Sequence, residues 1–136
     1  MNKNKVILLT PSDMVDWGSP KILTIGAKDI LLYGNPAKSE NYVFRFKLPK
    51  HFEIKPFMLN SICFLTVIEG EILFGEGDIF IKKSMSILPA KSFCHIPDNY
   101  PVYFVSNEPT ILQFHGTGPV DIKYINPTDD PRNHSI

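Results

Sequence analysis

At 136 residues, with 43% hydrophobic and 12% aromatic side chains, the chain is sized for one domain and too apolar to stay disordered. Fourteen basic residues offset fourteen acidic ones, giving a formal net charge of zero. That balance excludes nucleic-acid binding driven by bulk electrostatics and leaves self-association unopposed by repulsion.

Lys3 and Lys5 precede an apolar run at residues 6–9, but Thr10-Pro11 breaks it short of a secretory h-region. No window approaches the length of a membrane span. Cys63 and Cys94 form neither a disulfide framework nor a Cys-x-x-Cys pair, so a soluble, reduced, cytoplasmic protein is expected. Pro11-Ser12-Asp13 predicts a single helical turn and residues 79–84 another. Strands are expected at 30–33, 42–48, 61–68, 71–74, 92–96, 102–106, 110–115 and 122–125. Gly34-Asn35-Pro36, Glu69-Gly70, Gly75-Glu76-Gly77-Asp78, Pro97-Asp98-Asn99 and Asn107-Glu108-Pro109 supply turn chemistry between them. Many short strands at this spacing read as an antiparallel sandwich or barrel. One domain over 1–136 is expected, with an N-terminal segment at 1–25 and a polar tail at 126–136.

The strand faces are more informative than the strand count. Residues 42–47 alternate, with Tyr42, Phe44 and Phe46 on one side and Val43 and Arg45 on the other. Residues 62–68 are apolar on both sides: Ile62, Phe64 and Ile68 against Cys63, Leu65 and Val67. A strand apolar on both faces is covered on both faces, which predicts a second sheet or a partner subunit and hence a homodimer.

Gly26-Ala27-Lys28, Tyr33-Gly34-Asn35-Pro36 and Phe44-Arg45-Phe46-Lys47-Leu48-Pro49 resemble the opening of small single-domain cupins. The hairpin from Val67 to Asp78 resembles the close of the first cupin motif. The segments starting at Leu112 and Tyr124 resemble the end of the same group. The resemblance runs from Gly26 to Arg132. It implies an all-β jelly-roll barrel of the RmlC-like type, often dimeric, with a divalent metal deep inside.

The family's metal motif is altered here. Counted back from Gly70, its His-x-His positions fall on Phe57 and Leu59 and its Glu position on Cys63; its last His position falls on Val102. Phe, Leu and Val donate nothing to a first-row ion, and a lone Cys offers one ligand. Under the resemblance, Phe57, Leu59, Cys63, Leu65, Val67, Val102 and Phe104 point into one interior. Burying each Phe, Leu or Val there contributes about 1.5–3 kcal/mol. Apolar packing, or an apolar pocket, is therefore expected in place of a metal and its cofactor chemistry.

The expected ligand site comprises Phe57, Leu59, Cys63, Leu65, Val102, Phe104, Gln113 and His115, suited to a small apolar or aromatic molecule. Gln113 and His115 alternate on one strand face as polar anchors; the bland alternative has His115 bonding a loop backbone. Cys63 is either a reactive thiol or a small buried hydrophobe, and the sequence supplies no activating cation beside it. Two rival readings remain. One is a metal-dependent enzyme of dioxygenase or isomerase type using Cys63, His95 and His115. The other is a plugged barrel serving only interaction. His51 and His134 are expected in solvent, as are the carboxylates Glu69, Glu71, Glu76 and Asp78 at hairpin turns.

Overall fold

The computed structural model describes residues 5–134. Ten strands form two five-stranded antiparallel sheets. The first sheet contains β1 (Lys28–Tyr33), β2 (Asn41–Leu48), β4 (Cys63–Glu69), β7 (Phe93–Ile96) and β9 (Thr110–Thr117). The second contains β3 (Glu53–Leu59), β5 (Glu71–Glu76), β6 (Ser86–Pro89), β8 (Val102–Ser106) and β10 (Ile122–Tyr124). Their orders are β1-β2-β9-β4-β7 and β10-β3-β8-β5-β6. The expected all-β jelly roll is what the chain forms.

Period-2 patterning sets the faces. On β2, Tyr42, Phe44 and Phe46 turn inward; on β4, Cys63, Leu65 and Val67 do, and all three are buried. On β9 the inward positions belong to Leu112 and Phe114. From the facing sheet, Ile54, Phe57, Ile72, Val102, Phe104 and Ile122 meet them, and this interlayer is the core.

Strand β8 is buried along its whole length. Its outward Tyr103 lies beneath Phe80, with ring centroids 5.1 Å apart, and its hydroxyl bonds the backbone of Ile81 and meets the Ser84 Oγ at 3.2 Å. Residues 79–84 thus cover the outside of the second sheet, and the helical turn expected there is a 3-10 turn at Lys82–Ser84. The turn expected at Pro11–Asp13 is also present. Residues 127–134, expected as tail, instead form two 3-10 turns. Arg132 anchors them by donating to Asp121, Asp130 and the Ile122 carbonyl. The side chain of His134 lies outside the described residues. Among the described residues no helix is long and apolar enough to cross a membrane.

Candidate functional site

A cavity of about 400 Å³ opens between the two sheets at the β1 edge. One wall is aromatic and comes from the first sheet. Phe44 stacks on Tyr42 and on Phe114, with centroids 5.6 and 5.4 Å apart, and meets Phe46 edge-on at 5.1 Å. Alternation puts these rings on one face, and antiparallel register places Phe44 opposite Phe114. The opposite wall carries Ile54, Phe57, Leu59, Phe104 and Ile122, with Phe57 and Phe104 edge-to-face at 6.1 Å. The chain at residues 20–23 closes over the cavity, held where the Tyr124 hydroxyl donates to the Ile22 carbonyl.

Polar atoms are few. On the lining, the Tyr42 hydroxyl donates to the Cys63 Sγ at 3.6 Å. Burial raises the pKa of both groups and pushes the Cys63 thiol up to about 11. Cys63 is 1% exposed, and among the described residues no cation or helix N-terminus activates it, so it acts as a neutral thiol. At the mouth stand Asp29, Lys21 and Asp121. Asp121 is occupied by Arg132 at 3.1 Å, whereas no side chain bonds the Asp29 carboxylate among the described residues. Burial raises the pKa of Asp29 as well.

Of the residues expected to line the interior, Phe57, Leu59, Cys63 and Phe104 line this cavity. Leu65 and Val102 are buried in the packed core away from it. Gln113 and His115 are a correction: they lie on the outer face of the first sheet. Leu112 and Phe114 take the inward positions of β9, and alternation sends their neighbours out. There Gln113 accepts a hydrogen bond from the Arg45 Nε at 2.9 Å, and His115 stacks on Phe64 with centroids 5.0 Å apart. His95 lies beside the same Phe64 at 5.7 Å, also on the outer face.

The metal set of Cys63, His95 and His115 therefore does not assemble, because the sheet itself separates the thiol from both imidazoles. Among the described residues no three His, Cys, Asp or Glu side chains gather to hold an ion. The positions to which the sequence resemblance assigns metal ligands, Phe57, Leu59, Cys63 and Val102, offer a divalent cation one donor between them, the Cys63 thiol. The carboxylates at the hairpin turns form no cluster either; Glu71 accepts from Asn107 and Glu76 from Tyr100.

Sequence reasoning missed Asp29, Lys21 and Ile54 as lining residues. The aromatic wall had a signal in the Tyr42-x-Phe44-x-Phe46 alternation, and Asp29 shares an inward face with Leu31 in the same way.

No protein-family model matches the chain, and no curated protein matches it. Solved structures do. A proposed acetylacetone dioxygenase from Methylibium petroleiphilum superposes with a TM-score of 0.67 at 16% identity, covering 96% of this chain and 90% of that one. An RmlC-like cupin from Shewanella frigidimarina gives 0.64 at 15% identity, over 82% and 91%. KdgF from a Halomonas species gives 0.64 at 13% identity, over 85% and 97%. The chain thus has the cupin fold.

Proposed function

We propose that this protein is a small-molecule-binding module without a metal centre, holding a compact ligand whose flat apolar ring lies between its two walls. The observation that supports this reading is the cavity itself: aromatic rings from the first sheet face apolar side chains from the second across an open space of about 400 Å³. Binding pockets of this size are typically apolar, with a few fixed polar groups that orient the ligand. The fold does not decide for catalysis, since one scaffold serves unrelated functions. The lining offers a protonated thiol and a phenol but no ion cage.

In the same reading the protein is a homodimer in a reducing, cytoplasmic compartment, as its two free cysteines suit. The outer face of the first sheet closes on a second copy.

Toluene tests the reading. Titrated into labelled protein, it is expected to give saturable amide shifts at Phe44, Phe57 and Phe114. Leu31→Trp is expected to abolish them by filling the mouth. Leu31 is 53% exposed, so the larger ring does not disturb the core. Absence of saturable shifts at those three residues in the unmodified protein overturns the reading.

A further inference from the structure

The cavity's walls are nearly featureless to a ligand, so its polar rim determines which ring compound fits. Asp29 is the distinctive group there. It sits on the edge strand β1, half-buried, with its cross-strand partner Phe46 beside it on the cavity wall. Its backbone pairs with Gly18 through two hydrogen bonds of 2.8 and 3.0 Å. Because Gly18 has no side chain, the Asp29 Oδ1 lies close over that backbone, where a Cβ would come within 3.1 Å. The carboxylate is bonded by its own backbone N–H. No lysine or arginine pairs with it among the described residues, while the neighbouring Asp121 has Arg132.

Resting on the binding reading above, we infer that the ligand is an aromatic or alicyclic ring bearing a protonated amine, its ring between Phe44 and Phe57 and its ammonium donating to Asp29. Three observations agree. The ammonium supplies the charged partner that the half-buried carboxylate lacks among the described residues. Desolvation already disfavours the ionised Asp29, and an incoming cation reverses that disfavour. A cation held at Asp29 also lies near the ring of its cross-strand partner Phe46, and an aromatic ring attracts positive charge. Lys21, also on the lining, is solvent-exposed, so its repulsion of the ligand is screened.

Phenethylamine, 2-phenylethanol, 3-phenylpropionate and toluene share one ring and differ in the group at the rim. Calorimetric titration at pH 7 is expected to rank the amine first. Asp29→Asn is expected to weaken the amine about tenfold to a hundredfold, as loss of a charge-assisted bond does, and to erase its lead over 2-phenylethanol. The ligand series on the unmodified protein decides the matter even if Asp29→Asn folds poorly. Toluene and the amine binding equally, or the carboxylate binding best, overturns the amine inference and leaves the cavity reading standing. If no compound binds, both fall.

Discussion

Cys63 shows how burial silences a reactive side chain. It faces the cavity and accepts a hydrogen bond from Tyr42, yet burial pushes its pKa up to about 11, so at pH 8 about one thiol in a thousand is ionised. Iodoacetamide at pH 8 is therefore expected to label the less buried Cys94 well before Cys63, read by mass spectrometry of the peptides. Equal labelling rates contradict this. The sign of the linked stability follows. The folded protein holds the Cys63 proton more tightly than the unfolded chain, whose thiol titrates near 9.0. The benefit is complete below that value and is lost as pH rises through about 11. Tyr42 is raised for the same reason and adds to the loss in the same direction, so Cys63→Ala is expected to flatten the fall in Tm between pH 9 and 11 without removing it. The inward aspect of Cys63 is legible in the sequence because Leu65 and Val67 share its parity. For Gln113 and His115 the same parity rule sends them outward, since Leu112 and Phe114 are the apolar pair. The resemblance to a barrel with polar ligands inside points the other way.

At the scale of elements, the strands that escaped prediction are those whose local pattern conflicts with the sheet. In β3, Pro56 interrupts the run and a register shift lies between Ile54 and Phe57, so Pro56 and Phe57 are both buried and alternation fails. β6 is four residues long with an exposed Ile87, too short to show a period. A second local feature has a measurable consequence. Gly75 on β5 pairs with Tyr103 on β8, and the tyrosine ring occupies the space above the glycine. A Cβ at Gly75 overlaps that ring. Tyr103 cannot simply swing aside, because its hydroxyl is tied to Ile81 and meets Ser84. Gly75→Ala is expected to destabilise the fold by about 1–3 kcal/mol, the usual range for overpacking. A chemical denaturation midpoint no lower than that of the unmodified protein contradicts this. The cavity lies on the opposite side of β5 and β8, so toluene binding is expected to persist in whatever fraction folds.

At the scale of the molecule, the two outer faces are treated differently. The second sheet is covered by residues 79–84, which seat Phe80 over Tyr103. Among the described residues the first sheet is covered at the β2 end alone. There Met14 accepts from Arg45 at 3.6 Å, and Lys47 lies over the Trp17 ring at 4.3 Å. Across β9, β4 and β7 the centre of the outer face presents Gln113, His115, Phe64, Thr66, Phe93 and His95, none of them a Lys, Arg, Asp or Glu, while the register shift after Val67 sets Glu69 at its margin opposite Ile111. Phe64 stacks between His115 and Phe93, and Phe93 is 62% exposed. An uncharged aromatic column is complementary to another uncharged surface, and a chain with zero net charge brings a second copy of itself without repulsion. Sedimentation is therefore expected to show a dimer, and Phe64→Glu a monomer, because the new carboxylate would be buried without a partner. Phe64 lies on the outer face, away from the cavity, so the monomer is expected to keep its circular dichroism and its toluene site. A dimer that survives Phe64→Glu unchanged removes this face as the interface. A monomeric unmodified protein removes the dimer, and with it the physical reason for the second apolar face of β4.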